Sequence, residues 1–169
     1  HIHHCGAVYK HNGGITLHHR AGENHVAGNV IHDMTRYGIT MKTAGHANIV
    51  EYNRVLNTSL ETFDTGAIEV TQQDRNERSG SIIRYNLVGD SVGYSSTGEK
   101  PCFLSWGIYL DSFAGGYEVT RNIVYRSWNG GIMFQGGKDN RVHNNIFVDG
   151  KAGQGHISNF AGNQTGCTF

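Results

Sequence analysis

Four carboxylates fall where an acid–base pair would be useful. Glu61, Asp64 and Glu69 lie within one short phrase, ETFDTGAIE, and Asp111 closes the phrase WGIYLD. Hydrolysis of a glycosidic bond needs two carboxyl groups: an acid for the leaving oxygen and a nucleophile or base, roughly 5 Å apart for retention of configuration and farther apart for inversion. Asp111 is the first candidate, because strand alternation turns it outward between Trp106 and Phe113, where partial desolvation would raise its pKa. Glu69, one repeat earlier, is its expected partner for a retaining pair. Asp64 or Glu61, from the loop just before, would suit a wider, inverting pair. The same acids could hold calcium, but no Asp-x-Asp-x-Asp-Gly loop accompanies them, so no cofactor is expected and calcium is the weaker alternative.

A cationic and aromatic group crowds the early part of the chain: Lys10, His11, His18, His19, Arg36, Tyr37 and Lys42. Proton abstraction beside a uronate carboxylate uses a Lys, His or Tyr base and a neutralising cation, so this group also fits a polysaccharide lyase. His18, Arg36, Tyr37, Lys42, Glu61, Trp106, Tyr109 and Gln135 are the expected sugar-binding residues, since hydroxyls seek paired polar groups and pyranose faces seek aromatic rings. Taken individually, each residue of the cationic and aromatic group is better explained structurally, as Arg36 and Tyr37 are by packing and bonding at the turn into Gly38. His1, His3 and His4 lack metal-site spacing and are expected to be solvated or groove-lining.

Those residues must be positioned by a repeat. Segments beginning at Gly14, Gly38, Gly66, Gly107 and Gly131 open short apolar runs, and Asn29, Asn53, Asn86, Asn122 and Asn145 open a second run about fifteen residues later. Alternation such as Ile15, Leu17 against Thr16, His18 marks strands with one buried face. The β-branched runs after each Asn read as further short strands. A repeat of about two dozen residues holding two or three strands is one rung of a parallel β-helix.

The expected fold is therefore all-β, a right-handed, single-stranded parallel β-helix of about six rungs over residues 1–169, without clear end caps. The alternative is an antiparallel sandwich, which lacks the Asn-Gly hairpin turns it would need between runs. The recurrent Asn is expected to occupy a left-handed corner and to ladder with its neighbours. Ala67 leaves the register of Ile68 and Glu69 open by one residue. Longer connections, Asn53 to Gly66 and Asn86 to Gly107, should wall a groove on one face. Asp33 and Asp149 recur after the Asn strands and read as turn residues.

Composition narrows the function. Twenty-four Gly, one Pro and fourteen acidic against fourteen basic residues describe an ordered, turn-rich chain. Balanced charge gives no reason to expect nucleic acid, and no apolar run approaches the ~20 residues of a membrane span. Three widely spaced cysteines allow at most one internal bridge.

The phrases GNVIHDMTRYGITMK, ETFDTGAIE, RYNLVGDS, WGIYLDSFAGGYEVTRNIVY and GGKDNRVHNNIFVDG together resemble right-handed parallel β-helix (PbH1-type) repeat proteins. The likeness is closest to bacterial glycoside hydrolases of fucosidase-like and xylanase-like kinds. It covers about Ile15 to Asp149. The resemblance implies a carbohydrate-active enzyme that is secreted, periplasmic or on the cell surface, with Asp111 and Asp64 or Glu69 in the groove. Such relatives are longer and capped, so the chain is expected to be part of a longer solenoid or to associate end to end. A lyase and a non-catalytic adhesin, stalk or filament subunit share the repeat and remain the competing functions.

Overall fold

The computed structural model describes residues 1–94 and 104–169. In chain order the strands are β1 (Ile2–His3), then the triplets β2 (Gly13–His18), β3 (His25–Ala27), β4 (Val30–His32); β5 (Tyr37–Lys42), β6 (Ile49–Glu51), β7 (Arg54–Thr58); and β8 (Thr65–Gln72), β9 (Ile82–Arg84), β10 (Leu87–Ser91). They continue with β11 (Ser105–Ser112), β12 (Glu118–Thr120), β13 (Ile123–Tyr125); β14 (Gly130–Gln135), β15 (Arg141–His143), β16 (Ile146–Val148); and β17 (Gly155–Ser158). Each triplet is one rung. Every rung contributes one strand to each of three sheets: sheet I (β2-β5-β8-β11-β14-β17), sheet II (β3-β6-β9-β12-β15) and sheet III (β1-β4-β7-β10-β13-β16). All described pairings are parallel, which is the arrangement of a parallel β-helix of about six rungs and not of an antiparallel sandwich.

The core is built of aligned columns. Sheet III stacks Ile31, Val55, Val88, Val124 and Phe147 inward, and sheet II stacks Val26, Val50, Ile83, Val119 and Val142. Sheet I adds Ile15, Ile39, Ile68, Ile108 and Ile132, and Leu17, Met41, Val70, Leu110 and Phe134. From Ile31 to Leu110 these side chains are sealed from water wherever a rung lies above and below. β-Branched residues predominate because they fit a pleated surface packed on one face.

The register settles the ambiguity at Ala67. Ile68 pairs with Ile39 and with Ile108, so Ala67, and not Gly66, stands at the repeat-glycine position. That position faces the core at the junction of sheets III and I. A Cβ at Gly38 would run into Val55, and one at Gly107 into Val124.

The Asn column forms a ladder. The backbone N–H and side-chain Nδ2 of Asn29 both donate to Oδ1 of Asn53, and Asn53 does the same to Asn86, Asn86 to Asn122 and Asn122 to Asn145, all at 2.9–3.0 Å. The expectation that these Asn residues adopt the left-handed conformation is corrected. The residue before each one does so instead: Gly28, Tyr52, Tyr85, Arg121 and Asn144 have φ from 54° to 68°. Asn is needed for its amide, which donates and accepts at once. Asp33 and Asp149 have φ of 53° and 57° at the next corner, in keeping with their reading as turn residues.

A second ladder was not evident from the repeat. Asn24 N–H donates to Asn48 Oδ1, Asn48 N–H to Ser81 Oγ, Tyr117 N–H to Asn140 Oδ1, and Asn140 N–H to Cys167 Sγ. Cys5 and Cys167 are free thiols, and Cys102 lies outside the described residues. No helix among the described residues is long and apolar enough to cross a membrane.

The buried Asn86 amide is expected to be a keystone. Its Oδ1 accepts from Asn53, while its Nδ2 donates toward Val50, Arg84 and Asn122. Asn86→Ala should cost about 3 kcal/mol, the penalty for stranding several buried groups. Guanidinium unfolding followed by circular dichroism checks this, and a loss below ~1 kcal/mol would show that the ladder does not hold the rungs together.

Candidate functional site

The outward face of sheet I carries two aligned columns. One holds Thr16, Thr40, Glu69, Tyr109, Met133 and His156; the other holds His18, Lys42, Thr71 and Asp111. Gln135 and Ser158 continue the second column on β14 and β17. The expectation of polar, aromatic and acidic columns is met. The open choices resolve to Glu69 and Thr71, not Ile68 and Val70. Parity accounts for this, because Ile68 and Val70 fill core columns and their alternates must point out.

This face is not simply solvated. Tyr37, Glu69 and Tyr109 each expose only 1% of their surface, and Trp106 exposes 3%. One cover is the connection after β7. Ser59 N–H donates to Arg36 C=O, Glu61 N–H to Thr35 C=O, and Arg36 Nη2 to the Asp64 carbonyl at 2.6 Å. Lys10 forms an ion pair with Glu61 at 2.6 Å across its rim. The second expected wall, from Gly89 to Trp106, lies partly in β10 and β11, and residues 95–103 are outside the described part.

Glu69 is a buried carboxyl paired with Lys42. Its Oε1 accepts from Lys42 Nζ at 2.8 Å and its Oε2 from the Gly66 N–H at 3.0 Å. Burial pushes its carboxyl up to about 7, although Lys42 beside it pulls the other way. With both oxygens engaged and no exposed surface, Glu69 orients Lys42; it has no open oxygen to offer a substrate.

Asp111 and Asp64 are the accessible carboxylates, half-buried and exposed respectively. Tyr109 joins them. Its hydroxyl lies 3.4 Å from Asp64 Oδ1, and the Asp111 carboxylate comes near enough to be stabilised by the same hydroxyl. A phenol has one hydrogen, and its best acceptor here is Gln135 Oε1 at 2.9 Å. Burial raises the Asp111 pKa and the neighbouring Asp64 adds to this, against the Ser112 N–H, which donates to Oδ1 at 2.6 Å.

The cationic group assembles beside Glu69. Arg36 and Lys42 lie over the Tyr37 ring, at 4.7 and 4.5 Å from its centroid, and the Tyr37 hydroxyl bonds to His11 Nε2 at 3.0 Å. His18 aligns with Lys42 one rung earlier and is exposed. Trp106 packs on Tyr109, with centroids 4.6 Å apart, while Phe113 packs on Phe160. The expected catalytic and sugar-binding residues thus lie on sheet I or its covering loop, with Arg36 at the turn into β5 and Glu61 at the outer rim.

His11, expected in the cationic group, lies in the chain segment that leads into β2 and joins Tyr37. One neighbour was missed as a site residue. His156 extends the Glu69–Tyr109 column, but Gly155 pairs with Ile132 instead of a repeat glycine, so the pattern that would have revealed it is out of phase. His1, His3 and His4 are exposed but not in the groove. They cluster with His32 on the outer face of sheet III. Among the described residues no group of three or more His, Cys, Asp or Glu is arranged to hold a metal ion.

Fold and site together define the class: a parallel β-helix protein with a carboxylate- and cation-lined face. No family model, curated protein or solved structure matches the chain.

Glu69 gives the site a pH signature. Its folded value, about 7, lies above the ordinary 4.5, so the folded protein holds this proton more tightly than the unfolded chain. Stability should fall as pH rises from about 4.5 to about 7, by ~3 kcal/mol, and level off above. Denaturant titrations across this range should show the slope, and Glu69→Gln should flatten it.

Proposed function

We propose that the protein hydrolyses glycosidic bonds in a polysaccharide or its oligosaccharides, outside the cytoplasm, with Asp111 as general acid and Asp64 as nucleophile or base. The observation that carries this reading is a pair of accessible carboxylates beside the Tyr109 hydroxyl, near enough to each other for the charge of Asp64 to raise the Asp111 pKa. An acid with a raised pKa beside a more open carboxylate is the division of labour the reaction needs. The resemblance of the DTGAIE and GIYLD phrases to those of bacterial β-helix glycoside hydrolases points the same way. Tyr109 and Gln135 would orient the acid and the sugar hydroxyls.

The competing β-elimination finds no ready base in Lys42 or Tyr37. Burial alone would lower the Lys42 pKa, but Glu69 beside it more than compensates, so the ammonium keeps its proton. Burial, with Glu69 adding to it, pushes the Tyr37 hydroxyl up to about 12, far from a tyrosinate at neutral pH.

A glycan screen should release reducing ends, and Asp111→Asn should lower the rate about a thousandfold without changing the melting temperature. Proton NMR of the first product would then give the anomeric outcome. Unsaturated products absorbing in the near ultraviolet would replace this reading with a lyase. Turnover indifferent to Asp111→Asn would remove the carboxylate mechanism.

A further inference from the structure

Beyond the carboxylates, the same face holds a cavity of about 370 Å³ on the first two rungs, its walls including His11, Thr16, His18, Tyr37, Thr40 and Lys42. That volume lies within the range of small-ligand sites. None of its lining residues is an Asp or Glu. Lys42 gives one N–H to Glu69 and has donors to spare. Arg36 backs the Tyr37 ring from 4.7 Å, and His11 is held below its ordinary value by burial and then by the positive charges of Arg36 and Lys42. Lys42, whose charge Glu69 partly offsets, and Arg36 are the cations nearest the cavity, and no lining carboxylate opposes them.

We propose that this cavity is a subsite for the anionic group, carboxylate or sulfate, of an acidic sugar, so that the glycan recognised by this protein is an anionic one. The inference rests on the hydrolase reading for what is cut, but not for what is bound. Geometry places the subsite relative to the chemistry: His18, Lys42, Thr71 and Asp111 follow one another in a single column. Lys42 is thus two rungs, roughly 10 Å, from Asp111. An acidic unit bound there lies a short way along the chain from the bond at Asp111. Lys42 and His18 would meet its charge, while the Tyr37–His11 pair would meet its hydroxyls.

The test is calorimetric titration of the full chain carrying Asp111→Asn, which binds without turning over. The probes are oligogalacturonides and sulfated oligosaccharides, each against its carboxyl-reduced or desulfated counterpart. The anionic form should bind at least tenfold more tightly than its neutral partner and lose that advantage as salt is raised. Whichever anion shows the advantage identifies the group. His18 is exposed, and its ring packs against the His19 ring. His18→Glu should therefore keep the melting temperature and the neutral-ligand affinity while weakening the anionic ligand at least tenfold. Thr16→Asp, at a second exposed position in the wall, should do the same. Equal binding of charged and neutral partners, or affinity unmoved by both substitutions, overturns the proposal. Retained anion binding with no bond cleaved by the unsubstituted protein would leave the subsite standing and sink the hydrolase reading alone.

Discussion

Parallel stacking in a single register is the constraint on which the rest of this structure depends. Side chains with period two have only two faces to choose between, and a slip of one residue would turn every core Ile outward and every site residue inward. The asparagine ladder prevents that slip. Each buried amide binds both the backbone N–H and the side chain of the rung before it, so a rung shifted by one residue would strand several groups away from water. Apolar columns favour stacking in general; the ladder selects one alignment.

Given that register, the electrostatics of the site follow from where carboxylates fall in the two outward columns. Glu69 lies beneath the covering loop and between Tyr37 and Tyr109, which leaves it dry and bound to Lys42. Asp111 stands two residues farther along and one rung later, at the edge of the cover, where it is only partly desolvated. Asp64 belongs to the cover itself. Similar side chains within one small region thus acquire three different tasks: an internal counter-ion, a carboxyl inclined to keep its proton, and an open carboxylate. The backbone supplies the spacing, and the loops decide how much water each group keeps.

Much of the coil was legible beforehand because its signals are local and repeated. Ile39, Ile108 and Ile132 each follow a glycine, and Asn53, Asn86 and Asn122 each stand two residues before a buried Val. What could not be read had no repeating signal. Ala67 breaks the glycine pattern, so only the pairing of Ile68 with Ile108 shows its alignment. The second ladder mixes Asn48, Ser81, Asn140 and Cys167, whose shared role as acceptors is invisible to a search for identical residues. The left-handed corners are taken by Tyr52, Tyr85 and Arg121, types that composition alone would not assign to such backbone. The depth of Glu69 depends on a loop fold that sequence spacing does not encode.

Because each rung touches only the ones above and below it, the solenoid behaves as a nearly one-dimensional crystal, with cooperativity passed from neighbour to neighbour. Local opening in such an array is cheapest at the extremities and dearest in the middle. Lys42, Glu69 and Asp111 occupy three successive central turns, β5, β8 and β11. Opening that starts in a rung outside these three would therefore leave this face intact, and its amides belong among the slowest of the described residues to exchange with solvent.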